Sequence, residues 1–238
     1  MEKIIGVFDS GIGGLTILDE LKNILPNENY FYFGDSKNNP YGQKSDEELE
    51  KIVDEIVKDL IKRGVKIIVV ACNTATAKCI ESLRKKFPEM IFVGTEPAVK
   101  LACEMDYKNI LVLATPGTIQ SERVEELVLK NKKPEQNIKL FACPGLADAI
   151  ETKDEEKIKL KLSELFDNLE KDFDAVVLGC THYSHIKNEL SEIFPKAKLI
   201  DGNKNIAKQV QKVLQENNLL NESEEKGKTE IIFSGDNK

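Results

Sequence analysis

The 238-residue sequence has no tryptophan, only two histidines, only three arginines and no Cys-x-x-Cys pair. Dithiol redox enzymes and structural zinc sites usually contain a Cys-x-x-Cys pair, so its absence disfavours both classes. No stretch reaches the roughly 18 consecutive apolar residues that a membrane-spanning helix needs, so neither a membrane span nor a membrane partner is predicted. Low-complexity tracts are also missing, and a hydrophobic content of 41% is typical of an ordinary folded protein.

The charge balance disfavours nucleic acid as a partner. The formal net charge is −7, and acidic and basic residues are interspersed along the predicted helices instead of forming a basic face. The five cysteines come with no recognisable export signal, because the N-terminal segment MEKIIGVFDSGIGG enters a strand pattern at once. We therefore expect free thiols in a reducing compartment and a cytoplasmic protein.

Short β-branched runs alternate with longer amphipathic segments along the whole chain. Strands that are apolar almost without interruption are typical of a parallel sheet with both faces covered, so the predicted fold class is α/β with mostly parallel sheets. Apolar residues at three- and four-residue steps predict helices at 46–63, 74–87, 121–131 and 154–171. The predicted strands are 3–8, 30–33, 66–70, 91–93, 109–113, 137–141, 174–178, 198–200 and 230–233.

A weak internal repeat indicates two similar lobes. In the first half one strand ends at Asp9 and a later one at Cys72; in the second half the corresponding strand ends are Thr115 and Cys180. Two α/β lobes whose strand ends face each other across a cleft would explain this repeat. Coincidence is the alternative, because two valines before a small turn are common in α/β proteins.

Reactive and hydrogen-bonding side chains are concentrated at the predicted strand ends. Ligands of open α/β sheets bind beyond the carboxyl ends of the strands, so this concentration predicts a binding site. The residues concerned are Asp9, Ser10, Cys72, Asn73, Thr115, Cys180, Thr181 and His182.

The segment DSGIGG, from Asp9 to Gly14, resembles a phosphate loop only superficially. The dinucleotide fingerprint would need glycine where Thr16 stands, and the Gly-Lys-Ser/Thr of a P-loop is missing. The simplest interpretation is a tight turn into a helix at Leu15. We favour a turn whose backbone N–H groups also bind an anion such as a carboxylate, with Asp9 contacting an ammonium or orienting a base.

Two of the five cysteines stand apart by their position. A free cysteine is usually a small buried apolar residue, and Cys79, Cys103 and Cys143 are interpreted in this way. Cys72 and Cys180 instead lie at strand ends beside polar residues, where a following helix N-terminus favours the thiolate. Two such thiols suggest a dithiol redox pair, a metal site or two opposed acid–base groups.

The acid–base interpretation fits best. The spacing Cys180-x-His182-x-x-His185 is only superficially a metal motif, because His185 is expected to face away from the site, and no metal is predicted. Inverting a carbon centre requires proton removal on one face and proton delivery on the other, and thiolate and thiol can do both near neutral pH. His182 would assist the proton transfers of Cys180.

Seven motifs together resemble the glutamate racemases of the cofactor-independent aspartate/glutamate racemase superfamily, over almost the whole chain. The most specific are VVACNTATA at 69–77 and LGCTHYSHI at 178–186. The others are FDSGIGGLTIL at 8–18, FGDSKNNPYGQKS at 33–45, LATPGTIQSE at 113–122, ACPGLADAIE at 142–151 and LIDGNKNIA at 199–207.

The resemblance implies an isomerase that interconverts L- and D-glutamate without pyridoxal phosphate or another cofactor and supplies D-glutamate for peptidoglycan. It implies a homodimer of chains with two α/β lobes, residues 1–95 with 205–238 and residues 96–204, and an active site in the cleft between them.

Carried over motif by motif, the resemblance makes Cys72 and Cys180 the two bases, one for each enantiomer, with Cys72 acting on D-glutamate. Asp9, His182 and Glu151 would support them. The implied substrate contacts are Asp9, Ser10, Tyr41, Gly42, Asn73, Thr74, Thr115, Thr118, Thr181 and His182.

Two alternatives stay open. The same chemistry could act on aspartate, although the histidine in GCTH favours glutamate within the resemblance. A non-catalytic amino-acid-binding module is the alternative from another class, but such a module needs neither thiol. The three arginines lie in or at the ends of predicted helices, so neutral donors are expected to bind the substrate carboxylates.

Overall fold

The computed structural model describes residues 4–235, which divide into two compact units. Among these residues the first unit comprises 4–95 and 203–235, and the second comprises 96–202. The two predicted domains, 1–95 with 205–238 and 96–204, stay a prediction, and their residues 1–3 and 236–238 lie outside the described residues.

Strands and helices alternate along the chain and are numbered in chain order. The strands are β1 (Ile4–Asp9), β2 (Asn29–Gly34), β3 (Val65–Val70), β4 (Phe92–Gly94), β5 (Asn109–Ala114), β6 (Asn137–Ala142), β7 (Ala175–Leu178), β8 (Lys198–Ile200) and β9 (Thr229–Phe233). The helices are α1 (Leu15–Ile24), α2 (Asp46–Lys62), α3 (Asn73–Lys86), α4 (Val99–Glu104), α5 (Pro116–Ile119), α6 (Glu122–Asn131), α7 (Leu146–Glu151), α8 (Glu155–Phe166), α9 (Lys187–Ile193) and α10 (Asn203–Glu216).

The first unit is built on a parallel sheet with the strand order β4-β3-β1-β2-β9. Successive residues of β3 point to opposite faces of this sheet: Val70 packs with α2 and α3, whereas Val69 packs with α1 and α10. Helices therefore cover both faces, which explains why the strands are apolar throughout. In register, Phe8 of β1 lies beside Val70, so Asp9 and Cys72 leave the sheet at the same carboxyl edge.

The second unit repeats this arrangement with the parallel order β6-β5-β7-β8. Its sheet packs α7, α8 and α9 on one face and α4 on the other. Leu113 of β5 lies beside Leu178 of β7, so Thr115 and Cys180 both follow the carboxyl edge. The predicted α/β class with parallel sheets is confirmed.

All nine predicted strands are present, with ends that differ by at most one residue; Lys3 of the first lies outside the described residues. The helix predicted at 154–171 ends earlier, at Phe166. The chain turns there, because the Leu169 N–H bonds to the Phe166 carbonyl at 3.0 Å and Leu169 packs against the core of the second unit. Within residues 4–235, no helix combines the length and the apolar character needed to cross a membrane.

Candidate active site

The DSGIGG turn is closed by Asp9 at the end of β1. Asp9 is fully buried, and its Oδ2 accepts a hydrogen bond from the Gly14 N–H at 2.7 Å. The Tyr32 hydroxyl donates to the Gly11 carbonyl at 2.6 Å and fixes the middle of the turn. The Gly14 N–H is thus engaged by the protein, and the anion-binding role predicted for this turn would fall to its other N–H groups.

Gly14 is required by close packing. A Cβ at this position would lie 2.8 Å from Asp9 Cβ, 2.9 Å from the Tyr32 hydroxyl oxygen and 3.0 Å from Ala71 Cβ. We expect Gly14→Ala to lower the free energy of unfolding by about 1–3 kcal/mol, because overpacking forces backbone shifts. Urea unfolding would measure this loss.

Gly202→Ala is the matched control, because its Cβ would make only ordinary contacts, the nearest at 3.5 Å. It should change stability by less than about 0.5 kcal/mol. Equal unfolding midpoints for the two variants would contradict the packing explanation.

Cys72 follows β3 and caps the N-terminus of α3. Its Sγ accepts from the Ala75 N–H at 3.5 Å and lies 3.9 Å from Ser10 Oγ. A thiolate in this position is favoured by the helix dipole and by the Ala75 N–H. Asn73 beside it is buried, and its Oδ1 has no hydrogen-bond partner among the described residues, so it offers an acceptor to a ligand N–H group.

Tyr41 lies in a short 3-10 helix, Tyr41–Gln43, and is anchored by its hydroxyl. That hydroxyl donates to Asp35 Oδ2 at 2.7 Å. Burial and then the Asp35 carboxylate raise the pKa of Tyr41, and the charges of Cys72 and Asp9 act in the same direction, so Tyr41 lies near both. The phenol is therefore a neutral donor that holds the loop carrying Gly42.

In the second unit, Cys180 follows β7 and begins a line of three polar side chains. Its Sγ lies 3.8 Å from His182 Nδ1, and His182 Nε2 lies 2.7 Å from Glu151 Oε2 at the end of α7. His182 is 1% exposed and sits in the 3-10 helix Thr181–Ile186. This order of groups can pass a proton between thiol and imidazole while the carboxylate stabilises the imidazolium.

Two threonines lie at the carboxyl end of β5. Thr115 caps α5, where its Oγ1 accepts from the Thr118 N–H at 3.3 Å, and the two hydroxyl oxygens are 3.0 Å apart. Both side chains are buried, as is Thr181 beside Cys180. They supply neutral hydroxyls of the type expected to bind carboxylates.

The other three cysteines are buried in the cores, as predicted for small apolar residues. Burial raises the pKa of Cys79 to about 12 and also raises the pKa values of Cys103 and Cys143. These thiols are therefore held neutral. Cys79 and Cys103 lie within helices, and Cys143 follows β6 next to Tyr183.

Sequence reasoning missed two acidic residues that interact with the predicted site residues. Asp35 holds Tyr41, and Asp148 on α7 interacts with His182 and Glu151. Nothing in the local pattern distinguished them, although Asp148 stands in the motif ACPGLADAIE. The described residues contain no group of three His, Cys, Asp or Glu side chains that could hold a metal ion, and His185 is exposed.

The structure thus brings the predicted residues together within each unit: Asp9, Ser10, Tyr41 and Cys72 in the first, and Glu151, Cys180 and His182 in the second. Their catalytic and substrate-binding roles stay predictions.

Comparison with known proteins assigns the family. Residues 9–210 match the family model Asp/Glu/Hydantoin racemase. The glutamate racemase of Clostridium acetobutylicum is 41% identical over 234 residues, covering 97% of this chain and 91% of that protein.

Solved structures agree with this assignment. A glutamate racemase isoform of Bacillus anthracis has a TM-score of 0.85 at 30% identity, covering 98% of this chain and 89% of that one. The Francisella tularensis glutamate racemase in complex with D-glutamate has a TM-score of 0.82 at 32% identity, with coverages of 98% and 88%. The resemblance found in the motifs is confirmed: the chain belongs to the Asp/Glu/hydantoin racemase family and, within it, to the glutamate racemases.

Proposed function

We propose that this chain catalyses the interconversion of L- and D-glutamate, an isomerase reaction that supplies D-glutamate for peptidoglycan. The observation that carries the proposal is the matching position of two thiols: Cys72 and Cys180 each follow a strand at the carboxyl edge of a parallel sheet, one in each unit. Because the chain belongs to the glutamate racemases, glutamate is supported as the substrate.

The reaction is a two-base proton exchange at the α-carbon. From D-glutamate, the Cys72 thiolate removes the α-proton and becomes a thiol, while the Cys180 thiol delivers its proton to the opposite face and becomes a thiolate. From L-glutamate the two exchange roles. His182, 3.8 Å from Cys180 Sγ, returns or accepts a proton between turnovers.

This chemistry needs both sulfurs at one α-carbon. In this proposal two lobes, residues 1–95 with 205–238 and residues 96–204, each supply one sulfur from the carboxyl edge of their sheet. That arrangement is part of the proposal. It follows the rule that ligands of α/β sheets bind beyond the carboxyl strand ends.

Neutral donors bind the two substrate carboxylates in this proposal. Asn73 Oδ1, which has no hydrogen-bond partner within residues 4–235, and the Asp9 carboxylate suit the ammonium group. Hydroxyls and backbone N–H groups suit the two carboxylates. The arginines are engaged elsewhere, in ion pairs of Arg63 with Asp59, Arg84 with Glu81 and Arg123 with Glu96. The proposed contacts are Asp9, Ser10, Tyr41, Gly42, Asn73, Thr74, Thr115, Thr118, Thr181 and His182.

A homodimer in the cytoplasm is the proposed state of the protein. All five cysteines are free thiols, which suits a reducing compartment. Light scattering would test the dimer by giving twice the chain mass of 26.8 kDa.

The activity is tested by following the circular dichroism of L-glutamate and of D-glutamate, with neither pyridoxal phosphate nor metal added. Both signals should decay to zero at the racemic mixture, and in heavy water the α-carbon should gain deuterium. L-Aspartate in parallel should turn over far more slowly. Faster turnover of aspartate would contradict the substrate, and glutamate binding without α-proton exchange would indicate a binding module.

A further inference from the structure

Asp148 is a second carboxylate on α7, the helix that supplies Glu151 to the Cys180–His182–Glu151 line. It lies on α7 three residues before Glu151, and residues with this spacing share one face of a helix. Glu151 on that face contacts His182 at 2.7 Å, and α7 packs against the 3-10 helix that carries His182. The face of α7 that meets the imidazole therefore carries two acidic side chains.

Asp148 is half-buried, and its Oδ1 is shielded from solvent. The charged groups that act on it are His182 from the 3-10 helix, Glu151 from its own helix and Lys161 from α8. Burial raises the pKa of Asp148; His182 and Lys161 lower it, and Glu151 raises it. A positive charge on His182 thus favours the ionised form of Asp148, and by reciprocity an ionised Asp148 favours the imidazolium.

We propose that Asp148 is a positioning residue for Cys180. Together with Glu151, Asp148 holds the proton of the thiol–imidazole pair on His182. The step is a single proton transfer, in which the Cys180 thiol and the neutral imidazole become a thiolate and an imidazolium. Two carboxylates stabilise the positive product better than one, so more of the protein carries Cys180 ready to act as a base. The proposal deepens the proposed function and rests on it for the role of Cys180.

Imidazole NMR titration of the full-length protein tests this directly, because the chain has only two histidines and His185→Gln assigns their signals. Asp148→Asn should lower the titration midpoint of His182 by about 0.5 to 1 pH unit, since a nearby negative charge is lost. Asp148→Ser, a smaller replacement, should give a shift of the same sign. Glu155→Gln removes an equal charge from the exposed start of α8 and should leave the midpoint unchanged.

The kinetic counterpart is kcat/KM for L-glutamate, the enantiomer on which Cys180 acts as the base. Asp148→Asn should lower kcat/KM near neutral pH roughly threefold to tenfold, because less of the protein then carries the thiolate–imidazolium pair. Asp148→Glu should restore most of the loss, because the charge returns.

An unchanged His182 midpoint in both Asp148→Asn and Asp148→Ser would overturn the proposal, as would an equal shift in Glu155→Gln. The titration does not depend on turnover. A protein without racemase activity that still showed the His182 shift would contradict the proposed function but not the pairing of Asp148 with His182.

Discussion

Cys72→Ala and Cys180→Ala should each lower the rate of glutamate racemisation by roughly a hundredfold to ten-thousandfold, in both directions. Racemisation needs a base on one face of the α-carbon and an acid on the other, so removing either sulfur interrupts the same reaction. The decay of circular dichroism from each enantiomer measures the rate. Normal turnover in either variant would contradict the two-base assignment.

The remaining cysteines provide matched controls. Cys79→Ala in α3 and Cys103→Ala in α4 make the same chemical change at buried thiols within helices. Burial keeps these thiols neutral, with the pKa of Cys79 raised to about 12. We expect both variants to retain racemisation at rates close to that of the unmodified chain and to lose some stability through the small cavities they create.

Exchange in heavy water separates the roles of the two sulfurs. Cys180→Ala retains Cys72 and should exchange the α-proton of D-glutamate without inverting it, whereas Cys72→Ala should exchange that of L-glutamate. Proton NMR of the α-position measures this half-reaction. The opposite preference would reverse the assignment of bases to enantiomers.

The strands and the two distinctive thiols could be predicted because their signals are local. An apolar β-branched run fixes a buried strand, and the parallel geometry then fixes which end of it holds ligands. Cys72 and Cys180 were found in this way, before any contact was known. The structure adds that Cys72 caps α3 and lies near Ser10.

The contacts between distant segments could not be predicted. Nothing in the sequence pattern distinguishes Asp35 from other polar loop residues, and only the folded loop brings it to the Tyr41 hydroxyl. The sequence pattern also does not distinguish Asp148, but α7 packs against the 3-10 helix that carries His182, and the charge of His182 acts on Asp148. Sequence periodicity reports which face of a helix is apolar; it does not report which polar group the opposite element supplies.

Sequence periodicity also does not predict a buried ion pair at the amino ends of the strands in the first sheet. Lys66 Nζ lies 2.5 Å from Glu28 Oε2, and the two side chains are 4% and 2% exposed. Lys66 also donates to the Leu219 carbonyl at 2.6 Å, and Glu28 Oε1 accepts from the Asn221 N–H at 2.8 Å. The pair thus joins the starts of β2 and β3 to the segment that follows α10.

Glu28→Ala should lower the free energy of unfolding by about 3–5 kcal/mol, because it leaves the Lys66 ammonium buried without its counter-charge. Lys66→Ala should be similarly destabilising, since it leaves the Glu28 carboxylate buried without its counter-charge. The double replacement Glu28→Leu with Lys66→Met should restore much of the loss, because no buried charge remains. Urea unfolding followed by circular dichroism measures all three.

An exposed ion pair serves as the control. Lys58 Nζ lies 2.6 Å from Glu55 Oε1 on the solvent face of α2, and the two side chains are 48% and 75% exposed. Lys58→Ala should therefore leave the unfolding midpoint almost unchanged. A Glu28→Ala variant as stable as Lys58→Ala would show that Lys66 finds water or another partner.

Activity distinguishes this loss of stability from a catalytic defect. Glu28 and Lys66 stand at the amino ends of their strands, and the candidate catalytic residues follow the carboxyl ends. Glu28→Ala should therefore keep its racemisation rate per folded molecule while it unfolds at lower urea concentration. If the rate per folded molecule fell while the variant was fully folded, the ion pair at the amino ends of the strands would influence the candidate site at their carboxyl ends.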